Sequence, residues 1–276
     1  SVGNQVAGDG GSDTISILNG STIGGSVTGG DFSGVDAADS VRVDASTVTN
    51  EVTGNEGDDT IRVTGGSSVG TNVSGGTEND SMAILDSTVG DELDGGDGND
   101  TIFIDPSFIA GDVNGGIGND SVVVTDFSTV TGSVLGDAGT DTILVSASST
   151  IGVDVNGGAD ADTINVNTLS TVGGSVLGDA GADRITINNA SVGTNVDGGT
   201  DSDIINVIAL ATVTGNVLGD FGADTINVNG SQAGGVDGGA DADSISVLAG
   251  ATVTGTVTGA AGADTVTVNG SSVGLN

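Results

Sequence analysis

Residues 95–104 read GGDGNDTIFI: paired glycines for a tight turn, one aspartate, then a short strand whose side chains alternate between two faces. Centred on Asp100, the same frame recurs at Asp13, Asp39, Asp59, Asp80, Asp120, Asp141, Asp162, Asp183, Asp203, Asp224, Asp243 and Asp264. Apart from one interval of 26, the spacings lie between 19 and 21 residues. That is one winding of a parallel β-solenoid; a helical repeat needs room for two helices, over ~30 residues. The spacing predicts an all-β parallel β-solenoid of about thirteen windings with two main strands each, forming a single domain over residues 1–276.

Composition agrees with a thin, stacked core. Glycine supplies 52 residues and proline 1, aromatics make up 2%, and the 35% hydrophobic content lies in Val, Ile, Leu and Ala. The net charge is −35, set by 38 acids against the dispersed Arg42, Arg62 and Arg184, with no lysine. Such a chain repels itself unless cations intervene. It also lacks the basic patches that nucleic acid or an anionic membrane requires. No cysteine offers a disulfide framework, and no apolar run approaches the ~18 residues of a membrane span. The first and last residues both match the middle of a winding, which predicts a segment of a longer protein.

Each winding divides into four parts. A six-residue turn ends at the aspartate, as in residues 136–141. A strand follows, such as Thr142 to Val145, with Ile143 and Val145 on one face. Next comes a polar corner, usually with serine (Ser46, Ser67, Ser87, Ser107, Ser128, Ser149, Ser170), and then a second strand of form V-x-G-x-V, as in Val130, Gly132 and Val134. About four apolar residues per winding point inward. Thirteen windings at ~4.8 Å would extend for roughly 60 Å. Residues 1–45 are the least regular, and an extra segment around Phe32 is expected to bulge at one edge.

Glycine opens every turn: Gly8, Gly34, Gly54, Gly75, Gly95, Gly115, Gly136, Gly157, Gly178, Gly198, Gly219, Gly238 and Gly259. Without a Cβ, these positions let backbone carbonyls converge, and carbonyls with a carboxylate make the oxygen-only cage that calcium accepts. The chain has no His or Cys for zinc, copper or iron. The thirteen aspartates are therefore the expected side-chain ligands of a row of Ca2+ along one edge.

The segments GGDGNDTIF (Gly95 to Phe103), GGIGNDSVV (Gly115 to Val123) and, more loosely, GDGGSDTIS (Gly8 to Ser16) resemble the nonapeptide GGxGxDxUx of the repeats-in-toxin calcium-binding β-roll family. The resemblance implies calcium held between windings by Asp100 and Asp120, with the carbonyls of Gly95, Asp97 and Asn99 supporting the first, and it implies secretion. The family usually carries two motifs in each winding of 18 residues. This chain carries one in about 20, so the serine edge is expected to be metal-free.

From the seventh turn to the twelfth, a further aspartate alternates between the second place of the turn (Asp137, Asp179, Asp220) and the fourth (Asp160, Asp201, Asp241), making a repeat of two windings. These six are expected to add carboxylates to cations between windings, while the alternation keeps identical carboxylates from stacking at ~4.8 Å. Aspartate's tolerance of left-handed backbone is the structural alternative. Binding is expected to be coupled to folding, with the metal-free chain largely disordered.

Catalysis is not expected: there is no His, Lys, Tyr, Trp or Cys, and no non-repeating cluster of polar groups. The expected role is an extracellular structural protein, a calcium-stabilised part of a bacterial surface layer or filament. It would associate with itself through cation bridges, end to end or laterally, with a cell-surface polysaccharide as a candidate partner. The alternatives are the stalk of a secreted adhesin or a non-catalytic module of a secreted enzyme. An ice-binding version of the adhesin would use Thr-x-Asn pairs such as Thr163 and Asn165 or Thr225 and Asn227, in a row interrupted by Arg62, Phe103, Val123, Leu144 and Arg184.

Overall fold

The computed structural model describes residues 3–30 and 37–274. The chain divides into two units, residues 1–138 and 139–276, each of them a parallel β-solenoid without helix among the described residues. In the first unit the long strands Thr14–Leu18, Ser40–Asp44, Thr60–Thr64, Ser81–Leu85, Thr101–Asp105 and Ser121–Val124 pair in parallel, one per winding. In the second the equivalents run from Thr142–Val145 to Thr265–Asn269.

Register is fixed by the alternating pattern, because a slip of one residue would turn every apolar side chain outward. Ile143, Ile164, Ile185, Ile205, Ile226 and Ile245 consequently form one column. Each winding buries about four side chains, as expected; Ile102, Ile104, Ile109 and Val113 are all fully buried. Burial of one such side chain contributes about 1.5–3 kcal/mol, and it depends on the neighbouring winding. In Thr265–Asn269, the final long strand described, Val266 and Val268 are 44% and 48% exposed, although their partners Ile245 and Val247 are buried.

The second strand of the winding is broken in two. Thr129–Val130 and Val134–Ala138 are separate strands with a bend between them, and this division recurs in most windings. The corner serines are buried and form their own ladder: the N–H groups of Ser46, Ser67, Ser87 and Ser107 donate to the Oγ of Ser67, Ser87, Ser107 and Ser128 at 3.1–3.2 Å. In the second unit Ala190, Ala211 and Ala251 occupy buried corner places.

Two details differ from the sequence reading. Arg42 and Arg62, twenty residues apart, face one another on adjacent strands, and Arg42 pairs with Asp44 at 2.7 Å. The segment around Phe32, and Gly34 with it, lies outside the described residues. The glycine seated against Asp39 is Gly29, which the pairing of Val6 with Val27 and Ala7 with Thr28 places in register with Gly8. Outside that segment the first windings are regular, with Thr14–Leu18 in register with Ser40–Asp44.

Candidate metal edge

The turn begins at the opening glycine, two residues after a buried Val or Leu such as Leu93, Val113 or Val196. Its second and fourth places both have positive φ: Gly96 and Gly98 at 108° and 141°, Asp179 and Gly181 at 70° and 132°, Gly199 and Asp201 at 105° and 74°. This left-handed pair turns the chain so that the aspartate five residues after the opening glycine points back inside. Asp59, Asp100, Asp141, Asp203 and Asp224 are each at most 2% exposed, and Asp39, Asp80, Asp120, Asp162, Asp183 and Asp243 at most 4%. Asp13 and Asp264 are less buried.

The two carboxylate oxygens do different things. Oδ1 accepts the backbone N–H of the preceding aspartate: Asp59 donates to Asp80, Asp80 to Asp100 and Asp100 to Asp120, each at 2.7 Å. In the second unit Asp141 donates to Asp162, Asp162 to Asp183, Asp183 to Asp203 and Asp203 to Asp224 at 2.7–2.8 Å. Oδ2 of all the aspartates from Asp13 to Asp243 is buried without a hydrogen-bond donor. It lies over the opening glycine, in the space a Cβ would fill. A Cβ on Gly115 would stand 2.6 Å from Oδ2 of Asp120 and 2.9 Å from the carbonyl oxygen of Gly136. The same convergence is seen at Gly54, with Asp59 and Gly75, and at Gly178, with Asp183 and Gly198.

Two oxygens therefore meet in a sealed cradle with no donor between them, an arrangement that suits a proton or a hard cation. Burial, opposed by the Asp59 N–H and aided by the charges of Asp100 and Asp59, brings the carboxyl of Asp80 up to about 8. Burial likewise raises Asp162 and Asp203 to about 7, and Asp100 and Asp183 to about 6. Asp120, Asp224 and Asp243 shift in the same direction for the same first cause. No group of three or more acidic side chains among the described residues is placed to hold a metal by itself, so any cage here takes most of its oxygens from the backbone.

Asp137, Asp160, Asp179, Asp201, Asp220 and Asp241 lie on the outside of the turns, exposed, with φ between 66° and 79°. Their backbone conformation is the left-handed one that aspartate tolerates. The alternation also has a steric side: a Cβ on Gly199 would overlap the carbonyl oxygen of Asp179, one on Gly239 that of Asp220, and one on Gly222 that of Asp201.

Two features escaped the sequence reading. The fifth place of the turn carries an exposed ladder in which Asn79 donates to Asp58, Asn99 to Asn79 and Asn119 to Asn99, at 2.7–2.9 Å through the backbone N–H. The recurrence of Asn at residues 79, 99 and 119 was its signal. Before the opening glycine, Asp197 sits between Leu177 and Leu218 on the neighbouring strands. Burial and the charges of Asp220 and Asp179 raise its carboxyl to about 6.

No family model matches the chain, and no curated protein matches it. Among solved structures it is similar to a hyperactive, Ca2+-dependent, beta-helical antifreeze protein from an Antarctic bacterium, at 22% identity and a TM-score of 0.59, over 95% of this chain and 83% of that one. That likeness supports the β-solenoid fold.

Proposed function

We propose that the chain is a calcium-dependent structural segment of an extracellular bacterial protein, in a surface layer, a filament or an adhesin stalk. One observation carries the reading: the buried Oδ2 atoms of Asp13, Asp80, Asp100, Asp183 and Asp224 lack donors, and each converges with a glycine carbonyl over a position that cannot hold a Cβ. Calcium bound there would neutralise the carboxylates of Asp13, Asp39, Asp59, Asp80, Asp100, Asp120, Asp141, Asp162, Asp183, Asp203, Asp224, Asp243 and Asp264. The six outer aspartates would add negative potential beside the row and, on facing molecules, sites for cation-bridged self-association. The Ca2+ dependence named for the structurally similar protein agrees with this.

The test is the circular dichroism of the chain in metal-stripped buffer and in millimolar calcium, with bound calcium measured by equilibrium dialysis. Several bound ions per chain, with more β-structure and a higher melting temperature in calcium than without it, are expected. An identical ordered spectrum in both buffers, with no bound calcium, would overturn the proposal.

A second reading, ice binding, is favoured by the outward face of the long strands in the second unit. Thr163, Asn165 and Asn167 are followed there by Thr186 and Asn188, then Asn206, then Thr225, Asn227 and Asn229. Asn227 donates through Nδ2 to Asn206 at 3.1 Å. Arg184, Ile204 and Ile208 break the rank. Thermal hysteresis in calcium tests it, and none at millimolar protein would remove it.

A further inference from the structure

The corner opposite the metal edge comes in two lengths. From the turn aspartate to the corner serine the count is seven residues in some windings (Asp39 to Ser46, Asp80 to Ser87, Asp100 to Ser107) and eight in others (Asp59 to Ser67, Asp120 to Ser128), so the corner holds one residue (Ala45, Asp86, Pro106) or two (Gly65–Gly66, Asp126–Phe127). In the first unit two short corners follow one another at Asp86 and Pro106, with a long corner on each side. A recess results, with a volume of about 400 Å³. In the second unit the short corner at Asn189, between the long corners that hold Leu169 and Leu210, leaves a notch of about 120 Å³.

The larger recess has a distinct chemistry. Its floor is a rank in which Phe108 stands between Thr88 and Thr129 on the adjacent strands. Pro106, Asp86 and Phe127 also line it. In a chain with 5 phenylalanines and no Trp or Tyr, two of them meet here, 41% and 75% exposed. Phe127 has φ 63°, a conformation that is a genuine outlier for a bulky side chain and easy for glycine. The equivalent place in other long corners is held by Gly66 at φ 76°, Leu169 at 65° and Leu210 at 70°, so Phe127 is the aromatic among them.

We propose that this recess binds a neutral hexopyranose unit of a polysaccharide. The C–H face of a pyranose ring packs on the ring of Phe108, with Phe127 closing the side. Its hydroxyls donate to the Asp86 carboxylate and exchange hydrogen bonds with the hydroxyls of Thr88 and Thr129, which can donate and accept. The net charge of −35 disfavours acidic sugars, and one carboxylate among hydroxyls is a weak match for a polycationic peptide.

The test uses the full chain in calcium with 13C-labelled phenylalanine, titrated with cellohexaose and with maltohexaose. Saturable shifts of the Phe108 and Phe127 ring signals at millimolar sugar are expected with at least one of them, without movement of Phe103 or Phe221. Phe127→Gly places the preferred residue at that φ, so it keeps the fold; it is expected to weaken binding at least 10-fold, as is Phe108→Ala. The proposal is overturned by unmoved rings at 20 mM of both sugars, by unchanged binding in Phe127→Gly, or by a hexalysine peptide moving the same two rings at 100-fold lower concentration.

Discussion

The backbone N–H of Asp80 donates to Oδ1 of Asp100 at 2.7 Å, while Oδ2 of the same Asp100 carboxylate is buried against Gly95 with no donor. One oxygen holds adjacent windings together and the other is left for something outside the chain. Replacing Asp100 by Asn separates these roles. The amide oxygen can keep the Asp80 N–H, and the amide NH2 can donate to the Gly115 carbonyl, which converges on the same cradle. Asp100→Asn should therefore bind at least one calcium fewer and melt lower than the parent in calcium. In chelator at pH 8 it should melt higher, by the roughly 1–3 kcal/mol that an unsatisfied buried polar group costs. Calorimetry in the two buffers checks both signs, and a parent-like calcium count would remove Asp100 from the ligand set.

Gly115→Ala inserts a methyl group into the cradle between Asp120 and Gly136, where backbone lies on one side and a buried carboxylate on the other. Neither can move far, so a loss of about 1–3 kcal/mol is expected from overpacking, together with one calcium site. Gly66→Ala is the control. Its Cβ would meet nothing within 4 Å, and only its φ of 76° is unfavourable, a cost of roughly 1–2 kcal/mol with calcium stoichiometry unchanged. Equal calcium counts in the two variants would argue against the cradle as the binding place.

Stability of the metal-free chain should fall as pH rises. Asp80, Asp162, Asp203, Asp100 and Asp183 have folded values of about 8, 7, 7, 6 and 6, against 3.8 ordinarily. Between those limits the folded chain holds protons that the unfolded chain has released. The stabilisation is complete below about pH 3.8 and is lost as pH climbs through 6 to 8. Calcium requires the ionised carboxylates, so its affinity should rise over the same range. Melting temperatures in chelator at pH 5 and pH 8 should decrease in that order, and those in calcium should increase. A metal-free melting temperature flat across the range would contradict the buried-carboxylate account.

Asp160→Asn addresses the outer aspartates. Asparagine enters the left-handed region as readily as aspartate, so the fold at φ 75° should persist. A several-fold loss of calcium affinity is expected if the outer charge contributes to the row. Unchanged affinity and stoichiometry would leave Asp160 with a conformational role alone.

The period, the inward Val and Ile columns and the position of the aspartates were legible in the sequence because each is a regular spacing of one residue type. Ile102 and Ile104 could be placed inside by alternation alone. The division of work between the two oxygens of Asp100 could not be read, since it depends on a donor 20 residues earlier in the chain. Gly29 does not stand out as the partner of Asp39, because the residues between them break the five-residue spacing that holds elsewhere. The recess at Phe108 was hidden for a related reason: corner length differs by one residue between windings, too small a change to disturb the period but enough to open a gap in the surface.

The left-handed places impose a rule of growth. In the second unit a carboxylate-bearing residue and a glycine take turns at Asp179, Gly199, Asp220 and Gly239, and each glycine makes room for the oxygen before it. Deleting a single coil would set Asp179 directly beside Asp220, whereas removing two restores the original neighbours. Recombination can therefore shorten or extend this tract only in even steps, of about 9.6 Å, so descendants of the gene should differ in length by multiples of a coil pair.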